Sequence, residues 1–259
     1  MSPSDFTRAL VRRPSPCYAA AYLRHGITIS DALMQRQHDA YIAALAQAGL
    51  EVTTLPPHAT HYDCVFIEDT AIVVGKRALI TRVNDRRRGE EIDVAAWLSE
   101  HGFAIEHVPE SARIEGGDVL HLEDVTLVGR SARTNDAGIE ILRRFMHHAA
   151  HEVIAVPVER CLHLKSAMTS LGDGAVLVSP ALIDVDLPQG YRRIDVASSE
   201  PNAGNVLRIG RKLIYARAFP QTALLLQSFA EAHGLTMTGV DISQAQLGDG
   251  ALTCQSLLW

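Results

Sequence analysis

Cys254 stands five residues before the C-terminal Trp259, in the run Gly248-Asp249-Gly250-Ala251-Leu252-Thr253-Cys254, behind an Asp-Gly turn and ahead of the apolar close Ser256-Leu257-Leu258-Trp259. A thiol in such a place is most simply a small buried filler, and other residues decide whether it is more. His163 lies between leucines in Leu162-His163-Leu164-Lys165-Ser166, Glu115 opens Glu115-Gly116-Gly117-Asp118, and Asp63, Glu68 and Asp69 flank the apolar Val65-Phe66-Ile67. Carboxylates and imidazoles set among apolar residues are costly to bury unless they are paired or used. Brought to one place, they supply a nucleophile, an acid-base group and carboxylates that hold a cation. Each also has a plainer reading. His163 then is a satisfied core histidine, Gly116-Gly117 a tight turn beside an exposed Glu115, the three acids a solvated loop, and Arg86-Arg87-Arg88 a basic surface loop. His147 and His151, with His148 between them, have a zinc-like i, i+4 spacing, but no third ligand follows in register and there is no HExxH, so no metal site is expected.

For these groups to meet, distant segments must converge, and a cryptic repeat provides the means. A short β-rich run recurs at residues 49–56, 102–109, 151–157, 191–196 and 234–240. Stretches with apolar residues at helical spacing precede most of them, at 30–48, 91–101, 136–150 and 221–232. Hairpins are predicted for 118–122 with 126–129 and for 205–209 with 213–215. The repeat is incomplete at its ends. Residues 251–259 supply a strand after the fifth run, and 6–11 form a strand with no helix before it. Pairing the two termini completes a unit, removes a sheet edge and pins Cys254 by packing. The expectation is one closed domain, residues 1–259, of five ββαβ-like units whose equivalent segments converge on an axis; an ordinary α/β sheet is the alternative.

Composition agrees with a sizeable core, at 47% hydrophobic and 21% charged residues. No apolar run approaches a membrane span, and the polar start lacks a signal peptide's apolar stretch, so a cytoplasmic address with no membrane partner is expected. A net charge of -6 argues against nucleic acid as a partner and is compatible with a small cationic substrate. Cys17, Cys64, Cys161 and Cys254 are scattered without CxxC spacing, which suits reduced thiols.

Six ordered blocks carry a resemblance: Asp63-Cys64-Val65-Phe66-Ile67-Glu68-Asp69, Arg87-Arg88-Gly89-Glu90, Glu115-Gly116-Gly117-Asp118, Ser131-Ala132-Arg133-Thr134-Asn135, Leu162-His163-Leu164-Lys165-Ser166 and Asp249-Gly250-Ala251-Leu252-Thr253-Cys254. Over nearly its whole length the chain resembles the dimethylargininase family of the guanidino-group-modifying superfamily. The resemblance implies a five-bladed α/β propeller with pseudo-fivefold symmetry. It implies hydrolysis of Nω-methylated and Nω,Nω-dimethylated L-arginine to L-citrulline and (di)methylamine, with no cofactor. Cys254 would be the nucleophile that forms a covalent thiouronium, His163 the acid-base group and Glu115 its orienting partner. Asp63, Glu68 and Asp69 would contact the substrate, Phe66 would wall the site, and Gly248 would line it. Arg87, with Arg88 as the alternative, and Arg133 would hold the α-carboxylate. A mobile N-terminal loop within 19–29 would cover the site, with Leu23 as its contact. Zinc on Cys254 and His163 would inhibit. A homodimer is compatible with the family. Arginine deiminase is the closest alternative, but the second Asp that deiminases carry two positions after the histidine is Lys165 here. A non-catalytic, macromolecule-binding propeller is the other alternative; such a protein has no use for the thiol, imidazole and carboxylate together.

Overall fold

The computed structural model describes residues 6–147 and 151–259. Five three-stranded sheets follow one another, and three share one connection. Strands β3 (Ala71–Val74) and β4 (Arg77–Ile80) form an antiparallel hairpin, helix α3 (Glu90–Glu100) crosses over, and β5 (Ala104–His107) returns parallel to β4. The pattern repeats in β6 (Val119–His121), β7 (Val125–Arg130), α4 (Asp136–Met146) and β8 (Glu152–Pro157). It recurs in β12 (Leu207–Ile209), β13 (Lys212–Ala216), α6 (Pro220–Ala232) and β14 (Thr236–Val240). The predicted hairpins and all five β-rich runs are therefore present. Each crossover buries an apolar helix face on its sheet, which parallel pairing requires of its connection.

Two units depart from the pattern. In the third, β9 (Met168–Gly172), β10 (Ala175–Val178) and β11 (Arg192–Asp195) pair in the same way, but the crossover from Ser179 to Tyr191 has no helix. Pro180 and Pro188 in that span disfavour a helix interior, and Asp184 and Asp186 are poor helix formers. In the fifth, the C-terminal β15 (Leu257–Leu258) pairs antiparallel with β1 (Arg8–Arg12), and α2 (Asp31–Gln47) leads from β1 to its parallel neighbour β2 (Glu51–Leu55). The termini therefore complete one sheet between them. Trp259 reinforces the closure: its N–H donates to the Arg8 carbonyl, and its ring meets Phe103 edge-on with centroids 5.5 Å apart.

Local chemistry sets the helix starts. Ser30 accepts the Leu33 N–H to cap α2, Asn135 accepts the Gly138 N–H to cap α4, and Pro220 opens α6. The stretch expected to run to residue 150 ends as α-helix at Met146, and His148 lies outside the described residues. The expected C-terminal strand is shorter than 251–259. Its first part is a 3-10 turn, Thr253–Gln255, because Asp249 takes a left-handed φ of 59° and Gly250 packs on Phe66, which turns the chain sharply before β15 begins.

Candidate active site

Cys254 sits on that 3-10 turn, half-buried against the core that includes Phe66 and Leu252. The residue before it is clamped: the Thr253 N–H donates to Asn205 Oδ1 at 3.1 Å, and Asn205 Nδ2 donates to Thr253 Oγ1 at 3.0 Å and to the Lys165 carbonyl at 2.8 Å. Thr253 Oγ1 in turn donates to Glu68 Oε2 at 3.0 Å, while Lys165 Nζ donates to Glu68 Oε1 at 2.6 Å. The Cys254 turn is thereby tied to the turn Ile67–Thr70 and to α5 (Leu164–Ala167). Burial, followed by the Glu68 and Asp69 carboxylates, pushes the Cys254 thiol well above its ordinary value; Lys165 opposes them.

His163 immediately precedes α5 and is 4% exposed. Its Nε2 lies 2.8 Å from Glu115 Oε2 and 3.8 Å from Asp69 Oδ1. A Cβ on Gly117 would stand 2.6 Å from His163 Nδ1, so only glycine leaves room for the ring. Burial alone would keep the imidazole neutral. Asp69, the hydrogen bond to Glu115 and the charge of Asp118 overcome it and raise the group to about 9. Glu115 is itself fixed by the Asn84 N–H at 2.7 Å and by Arg133 NH1 at 3.5 Å. Burial works against the Asp69 carboxylate, yet His163, Arg87 and the Gly117 N–H at 3.0 Å hold it below its usual range.

Asp118, fully buried, joins two parts of the site. Its Oδ1 accepts the Leu164 N–H at 2.9 Å next to His163, and its Oδ2 accepts Ser131 Oγ at 2.6 Å and Thr134 Oγ1 at 2.7 Å on either side of Arg133. Arg87 is buried too, and its guanidinium is spent on the protein. It donates to Asp69 Oδ2 at 2.6 Å, to Glu90 Oε2 through Nε at 2.9 Å and NH2 at 2.7 Å, and to the Phe66 carbonyl at 2.8 Å. A cavity of about 250 Å³ is lined by Glu115 and Arg87 together with Tyr22, Asp63, Phe66, Arg86, Arg133 and Gly248. Asp69, Glu115 and His163 place ligand atoms within 4.8 Å of one another, as a metal site needs, but all are engaged with Arg87, Asn84 and each other. Burial pushes the Cys64 and Cys161 thiols up to about 11.

Residues 62–207 match the arginine deiminase family model. The chain is 38% identical over 253 residues to N(G),N(G)-dimethylarginine dimethylaminohydrolase of Streptomyces coelicolor, with 96% of each chain covered. The chain belongs to the dimethylarginine dimethylaminohydrolase family. The Pseudomonas aeruginosa dimethylarginine dimethylaminohydrolase is 28% identical over 223 residues, covering 85% of this chain and 86% of that one. A solved structure of a cysteine mutant of the Pseudomonas protein, complexed with citrulline, superposes with a TM-score of 0.88 at 24% identity, covering 98% of this chain and 99% of that one. The N-terminal domain of a cyanobacterial arginine dihydrolase, bound to its substrate, gives 0.83 at 20% identity, with 98% of both chains covered.

Against the dimethylarginine dimethylaminohydrolase pattern, the structure gathers Glu115, His163, Asp69, Glu68 and the Cys254 turn at one place, with Asp63, Phe66, Arg133 and Gly248 lining the cavity beside them. Two expected contacts change. Arg87 lines the cavity, but Asp69, Glu90 and a backbone carbonyl take up its donors; Arg86, for which no ion pair is formed among the described residues, lines the cavity with Arg133, and Arg88 faces Asp85 and Glu91. Leu23 ends α1 (Tyr18–Leu23) and is 62% exposed, while Tyr22, His25 and Ile27 from the same segment line the cavity. The helical turn aims residue 22 inward and residue 23 outward. Tyr22, Asn84, Asp118 and Asn205 join this candidate site through partners far away in sequence. Only Asp118, inside the Glu-Gly-Gly-Asp block, and Asn205, at the start of a predicted hairpin, carry a local signal.

Proposed function

We propose that the chain hydrolyses Nω-methylated L-arginines to L-citrulline and methylamine or dimethylamine, with Cys254 as nucleophile, His163 as acid-base group and Glu115 as its orienter. The observation that carries the reading is a buried imidazole held between Glu115 and Asp69 and raised to about 9, next to segments that fix the Cys254 turn. The substrate guanidinium lies between Asp69, Glu68 and the thiol. As the guanidinium binds, the Cys254 thiol gives its proton to solvent; Sγ then bonds to the central guanidinium carbon, and the bond from that carbon to the alkylated nitrogen breaks as His163, protonated at the nitrogen that Glu115 does not hold, supplies the proton to the leaving amine. The neutral imidazole then takes a proton from water as the water oxygen bonds to the same carbon. As the C–S bond breaks, the proton left on the new hydroxyl of the adduct passes to the sulfur, and citrulline leaves with the thiol restored. Arg133 and Arg86 receive the α-carboxylate, for which a guanidinium fork is the fitting donor.

Before substrate binds, the thiol is protonated, because burial and two carboxylates disfavour the anion. A bound guanidinium reverses that balance, each unit of lowering corresponding to about 1.4 kcal/mol of preferential interaction with the thiolate. Lys165 neutralises Glu68 and stands where a deiminase has a second Asp for an unsubstituted nitrogen, which favours an alkylated substrate. Arginine deiminase remains the second reading, since that is the family model matched over 62–207. We propose further that the chain acts as a single domain whose five sheets are propeller blades about one axis. In support, the first strand of every sheet contributes to one cavity, with Ile72, Leu120, Ser170, Leu207 and Leu258 among its lining. Among the described residues no helix is long and apolar enough to cross a membrane.

Citrulline release by the wild type and by Cys254→Ser tests the reading. Release by the wild type and a loss of about 10³-fold or more in the variant are expected, since the chemistry is nucleophilic. No citrulline from any guanidine, or full activity in the variant, would overturn it.

A further inference from the structure

Asn205 follows the 3-10 turn Pro201–Gly204 and is buried. Its amide meets both the Cys254 turn and the segment after His163, and two of its partners have fixed polarity. The Thr253 N–H can only donate and the Lys165 carbonyl can only accept, so Oδ1 must face the first and Nδ2 the second. Nδ2 therefore also donates to Thr253 Oγ1, 3.0 Å away, which leaves that hydroxyl its own proton for Glu68 Oε2 at 3.0 Å. Glu68 Oε1 accepts Lys165 Nζ at 2.6 Å. Both oxygens of a buried carboxylate thus face groups that donate, an arrangement that favours its ionised form.

The same kind of link joins other units. Asp69 Oδ1 accepts the Gly117 N–H and Asp118 Oδ1 the Leu164 N–H, so a side-chain oxygen on one unit's turn holds a backbone N–H on the next. At the Cys254 turn the residue in that role is an amide instead of a carboxylate. A carboxylate at 205 could still accept from the Thr253 N–H, but it would have no proton for the Lys165 carbonyl and would draw the Thr253 hydroxyl proton away from Glu68. We propose that Asn205 is a positioning residue that, through Thr253, directs a proton toward Glu68 and so presents Glu68 to the substrate as a carboxylate. The inference deepens the proposed function and rests on it for the guanidinium that Glu68 meets. Around Glu68 stand Lys165 on α5, Cys254 on its turn, Tyr41 on α2 and the adjacent Asp69. Burial raises Glu68 above the ordinary carboxylate range and Asp69 adds to it, while Lys165 and the Thr253 hydrogen bond pull the other way.

Thr253→Val removes the hydroxyl and keeps the branched shape. Glu68 then takes up a proton at higher pH, so the acid limb of kcat/KM for Nω,Nω-dimethyl-L-arginine is expected to move up by about one pH unit, as loss of one hydrogen bond to a charged group implies. Asn205→Asp, which replaces a donor by an acceptor, should move the limb in the same direction, and Thr253→Ser should return it to the wild-type position. A second readout needs no turnover. In protein carrying 13C at the glutamate carboxyls, the Glu68 signal, assigned by its loss in Glu68→Gln, should titrate at higher pH in Thr253→Val and Asn205→Asp than in the wild type. A limb that stays in place in both variants, or a Glu68 titration that stays in place in both, overturns the inference. Absence of any citrulline while the Glu68 titration moves as expected would instead sink the proposed reaction and leave the control of Glu68 by Asn205 standing.

Discussion

The site sets two ionisable groups above their ordinary values, with opposite consequences for charge. Cys254 is held as a neutral thiol and His163 as an imidazolium, so on the proposed mechanism the free protein has an acid ready and a nucleophile waiting. The first step needs His163 protonated; kcat/KM is expected to decline as pH rises through about 9, and a profile flat to pH 10 or beyond would contradict this. The same group links fold to pH. Its value is raised on folding from 6.5 to about 9, so its stabilising contribution is complete below 6.5 and is lost as pH rises through about 9. The melting-temperature gap between wild type and His163→Gln should therefore shrink from about pH 6 to about pH 10. Asp118→Asn is expected to lower kcat about tenfold or more, because it loosens the Leu164 N–H and the Ser131 and Thr134 hydroxyls together. If the effect acts through His163, the alkaline limb of the pH profile moves down with it; an unmoved limb would mean that Asp118 is only structural. At this scale the thiol, imidazole and carboxylates were legible as residue types set among apolar neighbours. Whether Arg86 or Arg87 is free was not, because Asp69 and Glu90 decide it and no local pattern expresses their reach.

Among the elements, those with local causes were the most legible. Ser30, Asn135 and Pro220 mark helix starts, and the β-rich runs appear as the third strand of each sheet. The 3-10 turn under Cys254 was not legible, since it follows from a left-handed Asp249 and from the packing of Gly250 on Phe66. Nor was the inward turn of Tyr22 over Leu23, which depends on how six residues of helix dock on a distant glycine. Ser30→Ala removes the Leu33 cap and should cost about 1 kcal/mol, read as a lower melting temperature. Gly248→Ala drives a methyl into Tyr18 and Tyr22, so α1 should shift and the KM should rise, with Cys254 still intact. An unchanged KM would show that α1 does not govern access.

For the molecule as a whole, the closure by the termini matters most. β15 completes the sheet of β1 and β2, with Leu257 buried at 4% and Trp259 against Phe103. Deleting the residues after Cys254 should abolish both activity and cooperative unfolding while keeping the nucleophile in the chain; retained activity would mean that the seam does not hold the Cys254 turn. The closure was legible because one strand stood unpaired at each end of the repeat, and its value lies in holding a near-terminal thiol beside Glu68. The central claim is that this site takes an alkylated guanidinium, with Lys165 in place of a second grasping carboxylate. The most direct test is citrulline formation from Nω,Nω-dimethyl-L-arginine and from L-arginine under the same conditions. A higher kcat/KM for the methylated substrate is expected, and a higher value for arginine would contradict the account.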